Sequence, residues 1–282
     1  MRLLVLTLLA AAAVAEDRAP ALPEDPDAVV VLLDDRGGFG PELPPEPRLE
    51  VLAGGTLKSY GKVVGKLSPE ELAALVRASV VDQRFFEWDA AKAEAKMGER
   101  DVAVLDASTT RIRVVLKDRK HEAKVYALGW QAQRYGKVDE LRRLENVRRR
   151  LEVVRNVALA GGREKAEALL DLANKALAEK HPDKTPLTLF DLHHVGEGDG
   201  ERTCRFHRAF DNGAYTSVFI KLPKDPAGKS GDDSGRRGGT SAQSRLTSSR
   251  WRADIGTTSA KSRRPAMAAI ASSNASRGCT LS

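Results

Sequence analysis

The chain has little of what defines a disulfide-stapled or a membrane-spanning protein. Its only cysteines are Cys204 and Cys279, which cannot form a disulfide framework, so stability has to come from a packed core. Beyond residue 15, no apolar run approaches the roughly 18 residues that a transmembrane helix needs. We therefore expect no transmembrane segment in the mature chain.

The N-terminal residues 1–15 have the three-part layout of a secretion signal. Arg2 supplies the positive start, residues 3–14 are an unbroken apolar run, and Ala13 and Ala15 are the small residues that a signal peptidase requires. The chain becomes polar directly afterwards. These features predict cleavage after Ala15 and an exported location, periplasmic or extracellular.

The excess of positive charge is confined to one end of the chain. The sequence holds 46 Lys and Arg against 39 Asp and Glu, a formal net charge of +7. Residues 228–282 contain ten of the basic and three of the acidic residues, which accounts for the whole excess. The remainder is neutral, so its composition indicates no nucleic-acid groove, and we expect no nucleic-acid partner.

Residues 228–282 also lack the apolar periodicity of a helix or a strand. A segment so rich in Ser, Gly, Ala and Arg cannot bury enough apolar surface to offset the entropy of ordering it. Three alternatives remain: a basic tail that binds the cell envelope, a plain disordered tail, and an out-of-frame translation of a GC-rich gene end. The third is suggested by the abrupt end of strand-like alternation near Lys224.

The periodicity of residues 28–160 predicts a module with the order βββαββα. Ser68 and Glu71 form a capping box around Pro69, which is the clearest helix start in the chain. The predicted elements are strands 28–33, 48–53 and 56–67, a helix 69–84, strands 110–116 and 122–128, and a helix 138–159. The apolar residues of this last helix form one stripe: Leu141, Leu144, Val147, Leu151 and Val154.

The periodicity of residues 163–224 predicts a second module, a helix followed by a three-stranded β-meander. Gly161 and Gly162 end the preceding helix. The predicted elements are a helix 164–179 and strands 187–195, 202–210 and 214–222. Neither module shows sustained strand–helix–strand alternation, so we predict the α+β class: antiparallel sheets with helices packed on one face, followed by a disordered C-terminal tail.

Several of these features recur together in a known type of domain. A strand precedes Arg36-Gly37-Gly38-Phe39, a hairpin turns at Gly54-Gly55, and the sequence from Leu67 to Leu72 opens a helix that ends at Phe85-Phe86. In this respect residues 28–155 resemble a small domain found in uncharacterised exported bacterial proteins. The resemblance implies an exported α+β protein from a bacterium and carries no assigned activity.

The densest group of reactive side chains lies in the predicted meander: Asp191, His193, His194, Cys204 and His207. A zinc site needs three or four such ligands that converge on one point. Neighbouring strand residues point to opposite faces, which separates His193 from His194 and, through odd spacing, Cys204 from His207. We therefore expect half-exposed histidines and a packed cysteine. A metal or catalytic site remains the alternative, and no other pattern indicates a cofactor.

Two further surfaces are candidates for contact with a partner. Tyr126, Trp130 and Tyr135 fall in a predicted loop between the second hairpin and the long helix, where they either bind a peptide or sugar or plug the end of the sheet. The long helix carries six arginines, but interleaved acids at i,i+3 and i,i+4 predict an ion-paired face.

Two functional hypotheses follow. The first is an exported, non-catalytic protein that binds a protein or envelope partner. The second is a metal-binding protein or hydrolase that uses His193 or His194, Cys204 and His207. Convergence of these side chains on one point distinguishes the second hypothesis from the first.

Overall fold

The computed structural model describes residues 20–38, 44–98, 106–198, 201–209, 215–222 and 253–254. The predicted signal segment 1–15 and most of residues 228–282 lie outside these ranges. Helices α1 to α5 are Pro69–Val76, Ala90–Met97, Leu128–Arg134, Asp139–Leu159 and Arg163–Lys180. Strands β1 to β10 are Val29–Arg36, Leu49–Leu52, Thr56–Ser59, Lys62–Lys66, Thr109–Val115, Lys120–Tyr126, Leu192–Gly198, Glu201–Ala209, Tyr215–Leu222 and Ala253–Asp254.

The strands form two antiparallel sheets, which confirms the predicted α+β class. The first sheet has the order β4-β3-β2-β1-β5-β6 and the second has the order β10-β9-β8-β7. Neighbours along each sheet are mostly consecutive in the chain, as expected for hairpins and meanders. Within the described ranges, none of the helices combines the length and the apolar character that crossing a bilayer would require.

The first core lies where the central strands of the first sheet meet α1 and α4. Leu33, Leu49 and Ile112 come from adjacent strands and are fully buried, because β1 occupies the centre of the sheet. On α4, the predicted stripe of Leu141, Leu144, Val147 and Leu151 is buried in the same cluster, and Val154 packs at its edge. The 3.6-residue period of this stripe therefore located the inward face of α4 correctly.

Helix α1 begins where the sequence predicts and ends earlier. The capping box is complete: Ser68 Oγ accepts from the Glu71 backbone, and the Glu71 carboxylate accepts from the Ser68 backbone. After Val76 the helical path widens into a π-helical turn, Arg77–Val81. Arg84 then takes a left-handed conformation, φ +49°, which ends the helical segment at the predicted position by a different route.

The predicted strand 56–67 is two strands, and this part of the prediction was wrong. Tyr60 and Gly61 both have positive φ, +49° and +74°, so the chain reverses between β3 and β4. Two successive positive-φ residues form the type I′ turn that suits tight hairpins. The first sheet therefore gains a strand, β4, at its edge.

The aromatic segment between the second hairpin and the long helix is also different from the prediction. Residues expected to form a loop instead form α3, in which Trp130 lies, and Tyr135 follows directly. Gln131 donates its side-chain NH₂ to the carbonyl of Tyr126 and so ties the helix to the end of β6. The segment that connects β6 to α4 is therefore mainly helical and does not form an open loop.

The second core lies between α5 and the inner face of the second sheet. Leu169, Ala173 and Leu177 pack against Cys204 and Phe206, all within one buried cluster. The predicted first strand of the meander was too long at its start: residues 189–191 form a 3₁₀ turn closed by a Thr188–Asp191 capping box. The two-residue strand β10, inside the segment predicted to be disordered, pairs with β9 and adds a fourth strand.

Helix α4 joins the two cores. Asn156 is fully buried near its C-terminal end, and its Nδ2 donates to the Leu192 carbonyl of β7 at 2.9 Å. Arg155, on the neighbouring position, donates to Ser59 Oγ at 2.8 Å and to the Arg48 carbonyl at 3.2 Å. The end of α4 is thus hydrogen-bonded to both sheets.

Candidate binding site

The two adjacent histidines of β7 lie on the same side of the second sheet. The register of β7 against β8 shifts between Leu192 and His194, which marks a β-bulge. Leu192 is buried, whereas His193 and His194 are both exposed. The expectation that they point to opposite faces was wrong, because a bulge inserts one residue and breaks the two-residue alternation.

Cys204 lies on the opposite side of the sheet from His207, as the spacing predicts. Cys204 is fully buried against α5, and burial raises the pKa of its thiol to about 12. His207 is half-buried on the outer side, with its ring centroid 5.6 Å from that of His193. Across the described ranges, no group of three or more His, Cys, Asp and Glu side chains is placed to hold a metal ion.

Five side chains form what we call the outer-face cluster of the second sheet: His193, Arg205, His207, Ser217 and Phe219. His207 Nδ1 lies 2.8 Å from Ser217 Oγ, and Arg205 Nη2 lies 3.3 Å from the same hydroxyl. The Arg205 guanidinium also lies over the Phe219 ring at 5.1 Å. Ser217 is buried beneath its neighbours, only 3% exposed, so the hydroxyl is poorly placed for nucleophilic attack on a substrate.

The outer-face cluster is electropositive. Although His193 is exposed, its neighbours remove enough water to lower its pKa to about 4, together with the charges of Arg205 and Arg48. Desolvation, followed by the charge of Arg205, also lowers the pKa of His207. Asp191 is the acidic residue that raises the pKa of His207, but its carboxylate is bound by Arg208 at 3.0 Å.

The three aromatic candidates do not form one surface. Tyr126 is 39% exposed at the end of β6. Trp130 and Tyr135 are half-buried and stack edge to face, with ring centroids 6.2 Å apart, and Tyr135 packs against the first core. The Tyr126 hydroxyl accepts a hydrogen bond from the Ala107 backbone at 3.0 Å, away from the other two rings.

Four of the six arginines of α4 are ion-paired: Arg142, Arg143, Arg148 and Arg149. Arg148 contacts Glu145 and Glu152 at 2.7 Å each, and Arg149 contacts Glu145 at 2.9 Å. Burial opposes ionisation of Glu145, but the hydrogen bonds and charges of Arg148 and Arg149 hold its pKa below the ordinary value. Glu152 also pairs with Arg48 at 3.2 Å, which links α4 to β2. The prediction of an ion-paired face is confirmed for these residues.

A wide concave feature of the described chain is a groove, here called the α1–α4 groove, of about 780 Å³. Its volume lies within the roughly 300–1,000 Å³ of small-molecule sites. The walls are mainly aliphatic and come from β4, α1, the π-helical turn and the second half of α4. The principal wall residues are Val64, Leu67, Ala74, Val153, Val154, Val157 and Phe190.

The charged residues of the groove are mostly basic. Lys66, Arg150 and Arg163 line it, against the single carboxylate of Glu71. Glu71 is already engaged by the Ser68 backbone in the capping box, and Arg163 pairs with Glu167 at 2.8 Å. In the part of the chain that the structure describes, Lys66 and Arg150 have no ion-pair partner. The groove thus combines an apolar interior with two uncompensated cations.

Of the groove residues, Leu67, Glu71, Val154, Gly161 and Gly162 were recognised from the sequence as features of the fold, and none as part of a binding site. Val153, Val154 and Val157 widen the apolar stripe of α4 beyond what one core requires, and Phe190 is 65% exposed. These additional valines near the C-terminal end of α4 were the feature of the sequence that could have indicated an apolar binding surface. A wall shared among α1, β4 and α4 becomes visible only when those elements are packed together.

Comparisons with protein-family models, with curated proteins and with solved structures yield no match to this chain. The geometry of the groove and of the outer-face cluster is therefore the basis for proposing a function.

Proposed function

We propose that this is an exported, non-catalytic binding protein whose α1–α4 groove holds an amphiphile, an acyl chain with an anionic head group. The observation that carries the proposal is the groove itself, about 780 Å³ with aliphatic walls. Most functional small-molecule sites are concave and largely apolar, with a few polar groups that fix orientation. An envelope lipid or a fatty acid has this chemistry.

The basic lining argues for the anionic head group. A neutral apolar ligand would leave the charges of Lys66 and Arg150 without a counter-ion beside an apolar surface. A carboxylate or phosphate placed between them would gain charge-assisted hydrogen bonds. The lining contributes little competing negative charge, because Glu71 is committed to the α1 cap.

Export is the second component of the proposal and rests on residues 1–15. The test is the intact mass of the protein isolated from its host. A mass that lacks these residues supports export, and a mass that retains them refutes it. The same measurement shows whether the mass of the mature protein agrees with the sequence of residues 228–282.

Binding is tested by isothermal titration of the purified chain with dodecanoate. Ala74 and Ala73 provide a matched pair, because both are exposed on α1 but only Ala74 lines the groove. Ala74→Trp should fill the groove and abolish binding, whereas Ala73→Trp should bind as the original chain does. Equal binding by both variants, or no binding by the original chain, contradicts the proposal.

The head-group contribution is tested with a charge-neutral ligand. Lys66→Gln combined with Arg150→Gln should weaken dodecanoate binding by about tenfold, the value of one or two charge-assisted hydrogen bonds. Binding of dodecanol should change much less, because it carries no charge. If both ligands lose affinity equally, the two cations do not recognise the head group.

A further inference from the structure

The second sheet carries a cation that no residue of the described chain neutralises. Arg205 is half-buried, and no carboxylate lies at ion-pair distance from it within those residues. Its Nε is buried without a hydrogen-bond partner. Its other contacts are the Ser217 hydroxyl, the His207 ring and the Phe219 ring. A partly buried charge that lacks a counter-ion is costly, and a bound anion would remove that cost.

Other arginines of the chain have carboxylate partners, which supports the inference that Arg205 is free to bind an anion. Arg48 pairs with Asp35 at 2.8 Å and with Glu152 at 3.2 Å, and Arg208 pairs with Asp191 at 3.0 Å. Each of these two arginines is therefore neutralised by a carboxylate. Arg205 differs in that its neighbours are neutral hydrogen-bonding groups.

The neighbours of Arg205 are arranged as potential donors on the outer side of the sheet. The His207 ring lies within 3.5 Å of its guanidinium, and the exposed His193 ring packs against His207. The buried Ser217 hydroxyl holds Arg205 and His207 from beneath and does not itself reach the surface. The donors come from neighbouring strands, with His193 on β7 and Arg205 and His207 on β8, so several polar groups lie side by side on the outer face of the sheet. A tetrahedral oxyanion presents acceptors in several directions, whereas a carboxylate presents them in one plane.

We propose that the outer-face cluster is a phosphate-binding site, with Arg205 as the anchoring cation and His193 and His207 as proton-linked donors. The ligand is inorganic phosphate or the phosphate group of a monoester. The site is separate from the α1–α4 groove, since none of the five cluster residues lines that groove. A test of phosphate binding at this site therefore does not depend on whether the groove binds an amphiphile.

Phosphate binding at this site should be linked to protonation of the histidines. The charged groups that influence them are Arg205 on β8, Arg48 on β2 and Arg155 on α4, with His194 on β7 and Asp191 in the 3₁₀ turn. The arginines and desolvation disfavour the imidazolium forms of His193 and His207 in the free protein. A bound phosphate anion would favour them, so phosphate should raise both pKa values and bind more tightly as the pH falls toward the free-state pKa of His193, about 4.

The test is an NMR titration of the histidine ring protons of the purified chain with inorganic phosphate. Ionic strength is held constant with chloride, so that simple screening does not change. We expect saturable shifts of the His193 and His207 signals and an upward shift of their pKa. His121 and His181 serve as internal controls that should not move.

Two variants separate a built site from general attraction to positive charge. Arg205→Gln should weaken phosphate binding by about tenfold or more, while Arg84→Gln, which removes an exposed cation elsewhere, should leave it unchanged. His193→Gln, at an exposed position that the fold should tolerate, should remove the pH dependence contributed by that ring. Circular dichroism establishes that each variant is folded.

The outcomes are decisive in either direction. Binding of phosphate, or of phenyl phosphate in preference to free phosphate, supports the site and tells whether its ligand is the free ion or a monoester. The proposal is overturned if no histidine signal responds to phosphate, if acetate binds as well as phosphate does, or if the two arginine variants bind equally.

Discussion

Replacement of Gly55 by alanine tests how closely the β2–β3 turn is packed against the groove wall. Gly55 has a φ of +85°, and a Cβ added there would lie 2.4 Å from the carbonyl oxygen of Leu67. The Leu67 N–H also donates to the Gly55 carbonyl at 2.8 Å. Alanine therefore has to adopt a left-handed conformation and also displace a hydrogen-bonded backbone segment.

The expected cost can be assembled from these two effects. The left-handed conformation costs about 1–2 kcal/mol for a residue with a Cβ. Displacement of Leu67 weakens one backbone hydrogen bond, worth about 1 kcal/mol, so Gly55→Ala should lower the free energy of unfolding by about 3 kcal/mol. This is a large fraction of the roughly 5–15 kcal/mol by which typical domains are stable.

Gly37 provides the matched control. Its φ is +79°, close to that of Gly55, but nothing lies within 4 Å of the position that its Cβ would take. Gly37→Ala should therefore cost only the conformational part, about 1–2 kcal/mol. Urea denaturation followed by circular dichroism measures both values. Equal losses in the two variants would refute the assignment of a close backbone contact at Gly55.

Three further predictions concern buried groups. In a Cys279→Ser background, Cys204 should not react with Ellman's reagent at pH 8 until urea unfolds the chain, because burial raises the pKa of its thiol to about 12. Rapid reaction in native buffer would contradict the buried position of Cys204. The folded chain holds the pKa of Glu145 below its ordinary value of 4.5, so the stability that this carboxylate contributes above pH 4.5 should be lost as the pH falls through the folded pKa. In thermal melts, the melting temperature of Glu145→Gln should therefore fall less steeply with decreasing pH than that of the original chain. Glu179→Gln, at an exposed position, should behave as the original chain does. Asn156→Ala should lower the free energy of unfolding in urea by about 1–3 kcal/mol, because it leaves the Leu192 carbonyl of β7 without its donor. A change below about 0.5 kcal/mol would mean that this hydrogen bond does not stabilise the junction of α4 with the second sheet.

Local patterns predicted those elements whose signals lie within a few residues of each other. The Ser68–Glu71 capping box and the leucine stripe of α4 were both found correctly, because a helix satisfies its caps and its apolar face with residues three and four apart. The turn at Tyr60 and Gly61 was missed although Gly61 lies in the sequence. A tyrosine in a left-handed conformation is uncommon, so the residue types alone did not signal two successive positive-φ positions.

The candidate sites depended on longer-range effects. His193 and His194 share a face because β7 slips by one residue against β8, and that slip reflects pairing between strands rather than any property of the His-His pair. The groove walls come from α1, β4 and α4, which are separated by up to about a hundred residues in the chain.

From hydrophobic periodicity, turn residues and caps, the α+β class and the antiparallel arrangement follow directly, because each depends on interactions between near neighbours. Tertiary packing alone brings Arg205 and Ser217 together without an acidic partner and leaves the valines of α4 facing a groove. Such arrangements depend on which distant residues are brought into contact. Residue order along the chain does not specify those contacts in any local pattern. The sequence indicated His193 and His207 as candidates, but the groove and the position of Arg205 and Ser217 beside these histidines emerged only from the folded structure.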